Sequence, residues 1–348
     1  MDESSLQPLV SVRAEWSIPQ QLEALSHALH GSGPALAFGA TTVTYVSGGC
    51  AVVLPTSGSS GQPKAVALSA NALIASARAS HTFLGATVGD RWSLLLPTTH
   101  IAGVNVLVRA LELGSDLVGL SESADFTAIV PTQLHRALTG DTQLLEHLQN
   151  ARAVLVGGAA TSPDLRERAG HAGISLVTTY GMTEMCGGCV YNGVALNGVD
   201  IQIVDGVIEL NGPMKAIGYV GEESFGSGYF RTSDLGQINN GRLEVLGRVD
   251  DQINSGGEKL SLGAITDFLN DGSTQRYIAI GLPDQEWGQA LAIASDGPID
   301  EGIVRDRLRA AFGAHASPKR YAPNIELPLT ALGKPDRKTL GEIFGRLP

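Results

Sequence analysis

The stretch TSGSSGQPK, Thr56 to Lys64, sets glycines, serines and one lysine directly behind the apolar run AVVLP. Glycine permits tight curvature, so backbone N–H groups from Ser57 through Gly61 can face one concavity, where hydroxyls and the Lys64 ammonium add donors and positive charge. Such a loop suits a polyphosphate. It also has the composition of an ordinary surface turn, and these residues alone leave both readings open. The spacing does not match GxxxxGK[ST], so the P-loop arrangement is not supported. A second candidate is CGGC, Cys186 to Cys189. Two cysteines at this spacing can be half a zinc site or a redox pair, but zinc needs further ligands, and no second CxxC, CxH or HxxxH lies along the chain. Small residues lining a pocket is the favoured reading, and with only Cys50 besides, a disulfide scaffold is not expected.

Composition limits what these residues can serve. At 348 residues the chain exceeds a typical single domain, so two domains are expected. Hydrophobic residues at 43% exclude global disorder, and no apolar run reaches the roughly 18 residues that a membrane span needs. The opening MDESSLQPLV has no basic segment followed by an apolar core, so a cytoplasmic location is expected. A formal net charge of −11 repels phosphate backbones, which disfavours nucleic acid as a partner. Phosphate, if bound, must be met locally.

The elements that position these residues follow from periodicity. Short apolar runs bounded by Gly or Pro predict buried strands at 51–55, 91–97, 116–120, 128–131, 153–158 and 175–181. Helical spacing lies between them at 69–84, 131–150 and 162–173, the last with Ser162 as N-cap and Pro163 at the first helical position. This alternation predicts a large α/β domain with mixed sheets. From Val199, VDIQIVDGVIELNGP and GRLEVLGR alternate apolar and polar residues around tight turns, as antiparallel strands do. A last segment carries its own helices (AITDFLN, GIVRDRLRAAFG) and strand (RYIAIGLP). The boundary is placed near Asp250, giving a large domain over 1–249 and a smaller α+β domain over 250–348.

Together the motifs make a pattern. TSGSSGQPK closely resembles the phosphate-loop signature [ST]SG[ST][ST]GxPK of the adenylate-forming superfamily, which includes acyl-CoA synthetases, adenylation domains and luciferases. TTYGMTE (178–184) is similar to that family's YGxTE motif, GYFRTSDLG (228–236) to GW[FY]xTGD, GRVDDQINSGGEKL (247–260) to the hinge motif, and LPLTALGKPDRKTL (327–340) to PxTxxGKxxR. Five motifs in the family's order leave little room for coincidence.

The resemblance implies the adenylate-forming fold, with a mobile small domain, and a role for each matched residue. Thr56, Ser57, Gly58, Ser59, Ser60, Gly61 and Lys64 would hold the ATP phosphates. Gly157, Gly158, Ala159, Thr179, Tyr180, Gly181 and Met182 would surround the nucleotide, with Tyr180 stacked on adenine. Thr183 and Glu184 would hold the α-phosphate and Mg²⁺. Asp234 would accept from the ribose hydroxyls, with Arg248 beside it. Lys334 would be the catalytic lysine, offsetting charge that builds between the attacking carboxylate and the α-phosphate. Only 6 of the 24 basic residues are lysines, so Lys64 and Lys334 falling on motif positions is informative. Asp250 would be the hinge, and Ser255, Gly256 and Gly257 would wall a tunnel for the thiol of coenzyme A.

Within the superfamily, LLLPTTHIAGVNVLVRAL, FTAIVPTQLHRAL and VLVGGAATSPDLRERA most resemble the 2-succinylbenzoate–CoA ligases of menaquinone biosynthesis. That resemblance implies that His100 gates the acyl carbonyl as a catalytic group. It implies that Arg109 clamps the unreacted carboxylate of an aryl dicarboxylate, and that Gly187 and Gly188 floor the pocket. Gating is the favoured reading of His100 over a core histidine at a strand end, whereas Arg109 could equally be a helix-surface ion pair. Thr98 and Thr99 before His100, Ser233 before Asp234 and Pro335 after Lys334 depart from the pattern, and the segment ahead of the phosphate loop is shorter than in longer members, implying a truncated N-terminal subdomain. The expected partners are small molecules, namely the acid, ATP and CoA, without nucleic acid or membrane; a homodimer is among the assemblies allowed. A CoA ligase for another aryl or short acid, and a module loading a carrier protein, remain as alternatives.

Overall fold

The computed structural model describes residues 6–56, 64–329 and 335–346. Strands and helices alternate as the periodicity predicts, and the chain forms two compact units. One runs to Thr232 and includes Gln237–Glu244; the other comprises Ser233–Gly236 and the chain from Val245 onward.

Two sheets dominate the first unit. A six-stranded sheet has the order Gly218–Tyr219, Lys64–Ser69, Cys50–Thr56, Ala35–Ala37, Leu6–Ser11 and Tyr45–Ser47. Its hairpin Cys50–Thr56 and Lys64–Ser69 flanks the phosphate-loop motif and pairs Thr56 with Lys64. A seven-stranded sheet has the order Val194–Ala195, Gly187–Tyr191, Leu176–Met182, Ala153–Val156, Phe126–Ile129, Trp92–Ser93 and Leu117–Val118. The last five of these strands run parallel; Ala153–Val156, Phe126–Ile129 and Trp92–Ser93 are buried throughout, as expected where helices cover the faces, while Leu176–Met182 is half-buried.

Helix ends follow the local chemistry. The Ala70–Leu84 helix starts at Ser69, whose hydroxyl accepts from Ala72 N at 3.1 Å, and stops at Gly85 in the left-handed region (φ 63°). The Pro163–His171 helix opens with the Ser162 cap and proline that its sequence predicts. Where 131–150 shows continuous helical spacing, the structure has two helices, Pro131–Thr139 and Thr142–Asn150, because Gly140 (φ 150°) leaves the helical region and Asp141 caps a new start. The strand expected over 91–97 contracts to Trp92–Ser93, which lies between Leu117–Val118 and Phe126–Ile129 and pairs with two residues of each.

A four-stranded sheet joins Asp200–Val204, Val207–Asn211, Phe230–Asn239 and Arg242–Arg248, and the division between the units falls within the last two strands. Its two-residue turns, Asp205-Gly206 and Asn240-Gly241, have positive φ at both positions, the geometry that matches strand twist in hairpins. The second unit is built on a five-stranded sheet, with helices Leu262–Asn270, Glu301–Phe312 and Arg337–Arg346. Arg337 ties its helix to that sheet by donating from Nε to the Ala279 carbonyl (3.0 Å) and pairing with the Asp251 carboxylate.

Candidate active site

A cavity of about 120 Å³ opens in the first unit, at the carboxyl ends of three adjacent parallel strands. Ligands of open α/β sheets collect there because loops and helix starts diverge beyond the strand ends. Ile129, Leu155, Gly157 and Thr179 come from those ends or just beyond them, Asn105 and Arg109 from the Ile101–Leu113 helix, and Gly187, Gly188 and Tyr191 from the antiparallel strand that follows.

Much of this cavity is main chain, for steric reasons. A Cβ on Gly181 would lie 1.8 Å from the Gly187 carbonyl oxygen, and one on Gly187 2.3 Å from Asn105 Nδ2. On Gly157 it would meet Thr179 Oγ1 at 2.2 Å. A register shift between Tyr180 and Gly181 brings these backbones together. Asn105 secures the arrangement by donating from Nδ2 to the Cys186 carbonyl at 2.7 Å. Cys186 and Cys189 are fully buried beside this floor, and burial pushes both thiols up, Cys189 to about 12. They are thus protonated and inert at neutral pH.

Arg109 carries the charge of the cavity. It is only 3% exposed, its guanidinium lies 4.9 Å from the centre of the Trp92 ring, and its Nη2 donates to Tyr191 Oη at 2.9 Å. Among the described residues it forms no ion pair, and its buried Nε has no hydrogen-bond partner. Behind it, His81 is buried on the Ala70–Leu84 helix. Desolvation, reinforced by the Arg109 charge, lowers the His81 pKa from 6.5 to about 4, so the ring is neutral at pH 7. An arginine on a helix reads in sequence as a surface charge. What reveals its burial is the apolar run VNVLVRAL, which leaves no polar face for it to occupy.

A second cluster joins two motifs that are far apart in sequence. Lys64 Nζ sits 4.4 Å from the centre of the Tyr219 ring and 2.9 Å from Glu222 Oε1. The Tyr219 hydroxyl donates to Glu184 Oε1 at 2.9 Å. Burial, with the neighbouring Glu184 carboxylate, raises the Tyr219 phenol well above its usual range, so it stays a donor. Sequence reasoning missed Tyr219 and Glu222. The signal available was GYVGEESF, an aromatic and two acids just past a glycine.

The remaining expected residues lie as follows. Tyr180 is half-buried and packs against the main core, while Thr179 and Gly181 on either side line the cavity. Gly158 lines it in the left-handed region (φ 82°), and Ala159 is exposed beyond it. Met182 and Thr183 are half-buried at the turn leading to Glu184. His100 is half-buried at the N-cap of the Ile101–Leu113 helix, and is not among the residues lining the cavity. Thr56 Oγ1 donates to the Lys64 carbonyl at 3.1 Å. Ser57, Gly58, Ser59, Ser60, Gly61 and Lys334 lie outside the described residues.

In the second unit, Arg248 grips Asp250 through Nε (2.8 Å) and Nη2 (2.9 Å), and reaches Asp234 with Nη1 (3.3 Å). Gly256 and Gly257 form the turn between Gln252–Ser255 and Glu258–Ser261, both at positive φ. Ser255 is buried, and Gly256 N donates to the Trp287 carbonyl at 3.1 Å.

Comparison with known proteins places these features. Residues 39–207 match the family of AMP-binding enzymes. A probable 2-succinylbenzoate–CoA ligase of Mycobacterium tuberculosis (strain CDC 1551 / Oshkosh) is 36% identical, covering 93% of this chain and 94% of its own length. The 2-succinylbenzoate–CoA ligase of Listeria monocytogenes serotype 4b is 32% identical over 84% of this chain and 70% of its own. Among solved structures, the o-succinylbenzoate CoA synthetase of Bacillus subtilis, in complex with the acyl-adenylate intermediate OSB-AMP, aligns with a TM-score of 0.76 at 24% identity. The alignment covers 95% of this chain and 82% of that one, a likeness of fold. No described helix is long and apolar enough to cross a membrane.

Proposed function

The chain belongs to the 2-succinylbenzoate–CoA ligases among the AMP-binding enzymes, and on that footing we propose how its own residues carry out the ligation. It is an acid–thiol ligase: it joins 2-succinylbenzoate to coenzyme A through an acyl-adenylate, consuming ATP and releasing AMP and pyrophosphate, a step of menaquinone biosynthesis. A carboxylate is a poor electrophile until a good leaving group is attached, and AMP is such a group.

The observation that carries the substrate assignment is the state of Arg109. A guanidinium buried in a cavity, with no carboxylate partner among the described residues and an unpartnered Nε, is costly unless a ligand supplies the counter-charge. A dicarboxylic acid does so. One carboxylate is activated while the other stays charged, and Arg109 pairs with the second. Gly187 and Gly188 line the cavity without side chains, which suits that side to the aromatic ring of the acid.

Lys64 and the backbone of Ser57 to Gly61 receive the phosphates. Asp234 and Arg248 serve the ribose, and Tyr180 with Gly157 and Gly158 the adenine. Mg²⁺ is commonly held by one or two carboxylates together with substrate phosphates. Among the described residues no group of three His, Cys, Asp or Glu could hold a metal alone. Glu184, its carboxylate oriented by Tyr219, and Thr183 therefore suit an ion that arrives with the nucleotide, where it would neutralise phosphate charge. Lys334 offsets the charge that develops as the acid attacks the α-phosphate, and His100 gates the acyl group. The 250–348 segment supplies Lys334, turns about Asp250, and presents Ser255, Gly256 and Gly257 to the pantetheine thiol.

The test is pyrophosphate exchange with 2-succinylbenzoate and with 3-benzoylpropionate, the monoacid lacking the ring carboxylate. The reading requires a clear preference for the diacid, and the Arg109→Ala variant should lose that preference by roughly tenfold or more, as expected for a buried charge-assisted pair. Equal use of both acids by the unaltered enzyme would overturn the assignment.

A further inference from the structure

The Arg109 guanidinium is held by groups that the ligation itself does not use. Arginine only donates, so Tyr191 Oη must accept the bond from Nη2. The Tyr191 hydroxyl is fully buried and also lies 3.0 Å from Ser80 Oγ. With one lone pair engaged by the guanidinium, the phenolic hydroxyl keeps a proton and a second lone pair with which to meet Ser80 Oγ. Arg109, Tyr191 and Ser80 are thus joined by consecutive hydrogen bonds, the second of which either hydroxyl can donate.

Packing fixes the phenol in turn. Phe83 meets the Tyr191 ring edge-on, with centroids 5.2 Å apart and planes at 78°. Gly188 passes so close that a Cβ there would lie 3.0 Å from Tyr191 Cε1. Trp92 covers a face of the guanidinium. The neighbouring ring of His81 is neutral and adds no charge to compete with the arginine.

We propose that Tyr191, backed by Ser80, is a positioning residue for Arg109, holding its guanidinium in the orientation that admits a second carboxylate and so setting the preference for diacids. Without the phenolic oxygen, Nη2 has no fixed acceptor, and the guanidinium must reorient to find one. The pocket then loses pre-organisation rather than charge. This rests on the reading of the cavity as the acid site.

The experiment compares the unaltered enzyme with Tyr191→Phe, Ser80→Ala and Ser80→Thr, using 2-succinylbenzoate and 3-benzoylpropionate. For Tyr191→Phe, the kcat/KM ratio of diacid to monoacid should fall roughly tenfold, the size of one hydrogen bond to a charged group, with the loss in the KM of the diacid. Ser80→Ala should lower the ratio by roughly threefold, and Ser80→Thr, which keeps the hydroxyl, should restore it. Equal losses for both acids would mean that Tyr191 only supports the fold, and would overturn the proposal. A ratio unchanged in both Tyr191→Phe and Ser80→Ala would also overturn it, while leaving the diacid reading intact. If Tyr191→Phe does not fold, the Ser80 pair decides alone. Loss of preference in the unaltered enzyme would strike at the diacid reading itself, which separates the two failures.

Discussion

Lys64 lies over the ring of Tyr219 at 4.4 Å, while the hydroxyl of that same ring donates to Glu184. One aromatic thus spaces a cation from a carboxylate that would otherwise pair directly. The arrangement suits a ligand that needs a positive and a negative partner at once, as a metal-bound triphosphate does.

Glu222 is the competitor in this arrangement, holding Lys64 Nζ at 2.9 Å. The pair is about half exposed, so it is a weak restraint. Glu222→Gln should lower the KM for ATP by roughly twofold and make it rise more steeply with salt, since the competing ion pair that salt would weaken is gone. Steady-state kinetics over a range of ionic strength checks this; a higher KM would mean that Glu222 assists binding.

Lys334 is assigned to the first half-reaction alone. Lys334→Ala should abolish pyrophosphate exchange while still forming the thioester from a supplied acyl-adenylate and CoA. Mass analysis of the product reads the second half-reaction, and equal loss of both would contradict the division of labour.

The pocket floor gives a steric prediction. Gly188→Ala places a methyl 3.0 Å from Tyr191 Cε1 and 3.3 Å from Thr179 Cβ, which small shifts accommodate. It should raise the KM for the acid severalfold and leave that for ATP within about twofold. Gly181→Ala puts its methyl 1.8 Å from a main-chain oxygen that has no room to retreat, and soluble, folded protein should be lost. Kinetics of the first and thermal melting of the second are the measurements.

His81 yields a pH prediction. Its pKa falls from 6.5 to about 4 on folding, through desolvation and then the Arg109 charge, with Asp90 opposing. Between these values the unfolded chain binds a proton that the folded chain refuses. Its contribution is therefore complete above pH 6.5 and lost as the pH falls towards 4, on the order of 3 kcal/mol over the whole window. Urea unfolding at pH 7 and pH 4.5 should show a smaller drop in midpoint for His81→Gln than for the unaltered protein. An identical drop would mean that His81 takes up its proton without unfolding.

The legible parts of the sequence are those where chemistry is local. Ser69, Ser162 and the Asp205-Gly206 turn announce their roles because a cap or turn is decided within four residues. The phosphate-loop and YGMTE motifs are equally local, since each is a short run recognised by residue type and spacing alone. Arg109 could be named but not weighed: whether it is a surface charge or a buried one depends on Trp92 and Tyr191, which are distant in sequence. Tyr219, Ser80 and His81 belong to no motif, and they become meaningful only when strands and helices far apart in the chain converge. The split of 131–150 into two helices was legible in principle, because GD inside a helical run is a stop followed by a cap.

The glycine contacts under the acid site also bear on how such an enzyme could acquire a new substrate. With carbonyls and α-carbons forming that surface, there are no floor side chains to trade for larger or smaller ones. Accommodation of a different acid has to come from the side chains around that floor, Asn105 and Arg109 on one helix and Ile129, Leu155 and Tyr191 on the strands.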